Sequence, residues 1–183
     1  MLSPVPGQTA REAVENHVRP VQWALSCVTD AVPGHRGGTY VSEKSHVLTL
    51  GTDDGSTFLS GADLKFSFIQ HYSILQLEGD QPYRVRTAYY AYGLEDLEGD
   101  EIFAYHWHPY GISPVGYPHL HLKHGARIGR PELIRGHLPT GRVSLEDVLT
   151  LVIEQFDVKP LRSDWREVLE ESADMFRKNR TWA

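Results

Sequence analysis

The sequence predicts an α+β domain built on an antiparallel β-meander, and three observations carry that prediction. Apolar residues recur at helical spacing only towards the two ends of the chain. Between those ends the texture alternates with period two, and turn-forming clusters of Gly, Pro and Asp interrupt the alternation. No interdomain linker and no internal repeat is visible, so the 183 residues read as one domain, long enough for a core of two packed layers. The expected layout is a loose lead-in over residues 1–8, a helical segment over 9–31, an antiparallel sheet of about five strands over 39–124 and two helices over 144–178, with the helices of both ends packed on one face of the sheet.

Thr9 followed by Glu12 has capping-box spacing, and Val14, Val18, Val21, Leu25 and Val28 then form one apolar stripe. Pro20 removes a backbone donor inside this stripe, which predicts a kink or two short helices meeting there. Pro33, Gly34, Gly37 and Gly38 end the segment, and His17 and His35 are expected at the surface. Strand texture follows at Tyr40, Val41 and Val47 to Leu50. The GTDDG run at 51–55 reads as a turn; the spacing of Asp53 and Asp54 fits no calcium loop. Leu64, Phe66 and Phe68 occupy one parity while Ile69, Leu75 and Leu77 occupy the other, predicting a bulge near Gln70 to Ser73. In YRVRTAYYAY, residues 83–92, Tyr83, Val85, Thr87, Tyr89 and Ala91 alternate with Arg84, Arg86, Ala88, Tyr90 and Tyr92, so Arg84 and Arg86 share a face. Phe103, Tyr105 and Trp107 then form an aromatic core face, opposite Ile102, Ala104, His106 and His108. Ser144 and Asp147 cap a helix carrying Leu145, Val148, Leu149, Val152, Ile153 and Phe156, which Pro160 stops. Ser163 and Asp164 start the last helix, with Trp165, Val168, Leu169, Ser172 or Ala173, and Phe176 on its apolar stripe and Lys178 and Arg180 at its negative end.

The formal net charge is −6, which argues against a surface that wraps nucleic acid throughout. Between Pro118 and Arg142, however, Lys123, Arg127, Arg130, Arg135 and Arg142 face Glu132 alone. That window is +4 and the remainder −10, and the positive pole favours an anionic ligand. The single Cys27 excludes an intramolecular disulfide and a Cys-rich zinc site. With no basic-then-apolar leader and no long apolar run, a cytoplasmic chain without membrane contact is expected.

Residues 101–124, EIFAYHWHPYGISPVGYPHLHLKH, hold five of the ten histidines. Alternate residues of a strand share a face, so His106 with His108, and His119 with His121 and Lys123, become neighbours if the glycine- and proline-rich link 109–118 returns the chain antiparallel. His124 falls on the opposite face. Three functional readings compete for this hairpin, beside a purely structural one in which histidines and aromatic residues stack on a half-exposed sheet and do no chemistry. Acid–base cleavage of a phosphodiester without metal would divide proton removal and donation among His106, His108, His119 and His121, with Lys123 stabilising developing charge. Arg84, Arg86, Arg127, Arg130 and Tyr105 would hold the substrate. A metal site, for zinc or another divalent transition metal, would use His106, His108, His119 and His121 as ligands at about 2.0–2.2 Å. It would lack the carboxylate that follows the HxH of a cupin, and Lys123 would repel the ion. A non-catalytic binding or regulatory protein would use the same basic face for a partner. Under the enzymatic reading His121 and Lys123 line a surface groove, so their replacement is expected to spare stability.

No P-loop, dinucleotide GxGxxG or GxSxG elbow occurs, and HLPT at 137–140 lacks the HxT order of two-histidine phosphoesterases. The succession YRVRTAYYAYG, IFAYHWHP, PHLHLKHG and GRVSLEDVLTLVIEQF resembles the TumE-type toxins of prokaryotic toxin–antitoxin pairs over about residues 67–158, mainly through PHLHLKH and VSLEDVL. The resemblance implies a toxin with a small cognate antitoxin as partner and RNA as its target. The function expected on these grounds is a toxin-like nuclease or other RNA-directed enzyme, an endoribonuclease being one form of it, that works without metal or cofactor.

Overall fold

The computed structural model describes residues 5–36, 40–42, 44–51, 55–80, 82–110 and 115–179. Outside the described residues lie the first half of the lead-in, Gly37 and Gly38, Asp53 and Asp54 of the expected turn, residues 111–114 of the hairpin link and Arg180; the side chains of Phe176 and Lys178 are likewise outside the description.

The fold is α+β, with eight antiparallel strands among the described residues: β1 Gly34–Arg36, β2 Ser45–Thr49, β3 Ser56–Phe58, β4 Leu64–Gln76, β5 Tyr83–Asp96, β6 Glu101–Trp107, β7 His119–Leu122 and β8 Leu138–Pro139. They form one sheet in the order β1-β2-β4-β5-β6-β7-β8, with β3 pairing to β4 off this path. The sheet exceeds the expected five strands because β1, β3 and β8 are only two or three residues long, too short to show a period.

Helix α1, Ala10–Leu25, starts where Thr9 Oγ1 accepts from Glu12 N at 3.1 Å. It runs as one element with Pro20 inside it, rather than as two short helices meeting there. Pro20 leaves the carbonyl of Asn16 without its usual donor, but Ala13, Val14, Val21, Ala24 and Leu25 bury one continuous stripe around it, each large side chain contributing about 1.5–3 kcal/mol. A 3-10 turn, His124–Ala126, and the short helix α2, Pro131–Arg135, occupy the basic segment after β7. Helix α3, Leu145–Gln155, has the predicted capping box: Asp147 N donates to Ser144 Oγ at 3.1 Å while the Asp147 carboxylate accepts from Ser144 N. Helix α4 spans Trp165–Asn179. Helices α1, α3 and α4 cover one face of the sheet, enclosing Phe66, Phe68, Tyr90, Tyr92, Leu94, Phe103 and Leu149.

Two expected faces are corrected. Phe66, Phe68, Gln70, Tyr72 and Ile74 are all buried, so β4 keeps one parity along its length. The irregularity lies in β5 instead: His71 pairs with Tyr89 but Tyr72 pairs with Thr87, making Ala88 the extra residue. Val85 and Thr87 face the helices before the bulge, and Tyr90, Tyr92 and Leu94 after it. The false parity break arose because Gln70, a polar residue, belongs inside. Its Nε2 donates to Tyr92 Oη at 2.9 Å, and its Oε1 lies 3.1 Å from His17 Nε2. His17 is accordingly buried, against the expectation of a surface residue, and burial pushes its pKa down to about 4. His35 is exposed as expected, with Nδ1 2.9 Å from Tyr72 Oη.

Candidate functional site

On the sheet face away from the helices, the antiparallel register sets the histidines side by side. His106 of β6 pairs with His119 of β7, and Ala104 pairs with His121. Across β5, Ala91 stands opposite His106 and Gly93 opposite Ala104. These small residues form a shallow floor, which leaves room for imidazole rings where larger side chains would fill the face. Strand β8 then pairs Pro139 with His119 and Leu138 with Leu120, which brings His137 to the same face.

The rings make one cluster. Centroids are 4.7 Å apart for His119 and His121, 4.9 Å for His106 and His121, 5.7 Å for His106 and His119, and 4.4 Å for His121 and His137. His108 extends it, with its centroid 5.1 Å from His119, and Tyr89 and His71 continue the row on β5 and β4. Among the described residues, His106, His119 and His121 each offer a ligand nitrogen such that all three lie within 4.8 Å of one another. The Nε2 atoms of His119 and His121 stand 3.0 Å apart, and His119 Nδ1 lies 2.8 Å from the Tyr117 carbonyl.

This centre is not an open surface groove, as the sequence suggested: His119 is wholly buried and His121 is 8% exposed, while His106 is half-buried and His137 exposed. The β8 segment closes over β7 and accounts for that difference. Burial lowers the pKa of His106 to about 4, aided by His119, His108 and Lys123, and that of His121 to about 3, aided by His106 and Lys123. Burial also lowers His119, opposed by its bond to the Tyr117 carbonyl. All three rings are therefore neutral at physiological pH. His121 Nδ1 is buried with no hydrogen-bond partner among the described residues, a cost of about 1–3 kcal/mol for an apolar surrounding. At the rim, burial raises the carboxyl pKa of Glu101 while Lys123 lowers it, and Glu101 Oε1 likewise has no hydrogen-bond partner among the described residues.

Of the residues singled out from sequence, His106, His108, His119 and His121 come together, and Lys123 lies within electrostatic reach of His106 and His121. Arg84 and Arg86 lie on the same face of β5 but beyond Tyr89, opposite Leu75 and Ser73. Tyr105 is on the helix side of the sheet, its ring edge-on to Phe103. Arg127 and Arg130 are exposed, at the end of the 3-10 turn and the start of α2, rather than on the strand face. His124 has left the strand for that turn. Sequence reasoning missed His137, whose two-residue strand gives no period, and missed His71, whose face depends on the true parity of β4.

No protein-family model matches the chain, no curated protein matches it, and no solved structure matches it. The resemblance to TumE-type toxins accordingly rests on sequence motifs, mainly PHLHLKH and VSLEDVL. No helix among the described residues is long and apolar enough to cross a membrane.

Proposed function

We propose that the chain is a metalloprotein of the catalytic type, with His106, His119 and His121 as ligands to one divalent transition metal and His137 beside them. The single observation that carries this reading is the convergence of three ligand nitrogens within 4.8 Å. Two nitrogens bound to one ion at about 2.1 Å stand about 3.0–3.4 Å apart, from right-angled to tetrahedral geometry. The 3.0 Å between His119 and His121 meets that requirement. The donor set is chemically suited too, because a ligand must be neutral imidazole and the three rings are held neutral. The Tyr117 carbonyl orients His119 by accepting from its Nδ1, as outer partners of ligand histidines do, and leaves Nε2 as the lone pair. A zinc-like ion held by three protein ligands retains a position for substrate and acts as a Lewis acid there.

The metal-independent nuclease expected from sequence stays as a second reading, supported by Lys123 beside the rings and by Arg84 and Arg86 further along the same face. RNA as target and an antitoxin as partner belong to that reading. Its weakness is the acid role: His106 and His121 are neutral near pH 7 and so lack the imidazolium form that a general acid needs. Titration of chelator-stripped, tag-free protein with Co(II) distinguishes the two. The metal reading expects visible absorption bands that saturate at about one equivalent. A flat titration, together with RNA cleavage in chelator, would replace it with the second.

A further inference from the structure

We propose that the open side of this centre binds a small oxyanion, the carboxylate or phosphate group of its ligand, between the metal position and the Lys123 ammonium. The inference rests on the reading of His106, His119 and His121 as metal ligands.

Three imidazoles bring no negative charge, and no carboxylate among the described residues belongs to the ligand group. A dication in a part-buried site therefore keeps its full charge, and an uncompensated buried charge is strongly unfavourable. Lys123 directly follows β7 at the parity of His119 and His121, with its N–H bonded to the Ile102 carbonyl at 3.1 Å; it is half-buried, acts electrostatically on both His106 and His121, and has the same sign as the ion. Metal and lysine repel each other unless an anion lies between them, and the feature that told against a metal in the sequence then becomes complementary to a metal and anion together. Glu101 also faces Lys123 and offsets part of its charge, but an ammonium has three donors and can serve both the carboxylate and an incoming oxygen. His119 and His121 are buried, and the Tyr89 and His108 rings continue the row beyond them.

The test uses the full chain, tag-free and loaded with Co(II), titrated separately with acetate and with inorganic phosphate while the visible bands are followed. A saturable band shift with acetate alone marks a carboxylate ligand, and one with phosphate alone a phosphate ligand; either supports the proposal, as does a shift with both. Lys123→Met, which keeps the aliphatic stem, is expected to weaken the anion by about tenfold or more, while Co(II) in the absence of added anion binds at least as tightly as in the unaltered chain. Bands that move with neither anion while Co(II) remains bound, or an anion affinity equal in Lys123→Met, would overturn the proposal and leave the metal reading standing. Failure of Co(II) to bind at all would overturn both.

Discussion

His119 Nε2 and His121 Nε2 face each other at 3.0 Å inside the sheet, and the tautomer of one dictates that of the other. His119 Nδ1 donates to the Tyr117 carbonyl at 2.8 Å, so its Nε2 accepts, and in the metal-free protein His121 Nε2 must donate. His121 Nδ1 is then left as a buried acceptor without a partner. His121→Ala removes an unsatisfied group as well as a ring, whereas His119→Ala removes a satisfied one. Both variants are expected to lose metal affinity by more than about 100-fold, beyond what loss of an outer partner costs. In excess chelator, urea unfolding should show His119→Ala as the more destabilised of the two, by about 1–2 kcal/mol.

The floor beneath the rings makes a separate prediction. Ala104 pairs with His121 and is 1% exposed. Ala104→Leu is expected to displace the His121 ring, costing about 1–3 kcal/mol by overpacking and abolishing Co(II) bands. Tyr105→Phe, on the opposite face, should leave the Co(II) spectrum and affinity unaltered.

Much of this fold could be read from the chain because local chemistry and tertiary packing agree. The Ser144–Asp147 capping box, the aromatic face of Phe103 and Trp107 and the pairing of two HxH segments were all visible as patterns. The failures share a physical cause. Gln70 and His17 satisfy each other in the core, so polar residues stand where a periodic reading assigns surface. The bulge at Ala88 moves Tyr90 and Tyr92 to the helix side, which no residue type announces. His137 reaches the centre through a strand of two residues, and its role depends on contacts distant in sequence.

His17 predicts the acid limb of stability. Its folded pKa of about 4 lies below its ordinary 6.5, chiefly through burial, so below pH 6.5 the unfolded chain binds a proton that the native state refuses. The associated stability is fully present above pH 6.5 and is lost as the pH falls towards 4, about 3 kcal/mol in all. His17→Gln, which can still reach Gln70, should flatten that part of the curve of unfolding free energy against pH. An unchanged slope would remove His17 from the explanation.

Helix α3 provides a control that separates stability from the site. Ser144→Ala deletes the cap accepting from Asp147 N and is expected to cost about 1 kcal/mol in chemical unfolding. Its Co(II) affinity should equal that of the unaltered chain, because α3 lies on the helix side of the sheet.

The most direct test is the metal content of protein purified without an affinity tag, measured by inductively coupled plasma mass spectrometry beside His106→Ala, His119→Ala and a surface control, His124→Ala. The metal reading predicts about one equivalent of zinc, iron, nickel or another divalent transition metal in the unaltered chain and in His124→Ala, and a small fraction of that in the other two. Metal that persists undiminished in His106→Ala and His119→Ala, or an unaltered chain that holds none and takes up none when zinc or cobalt is supplied, would contradict it.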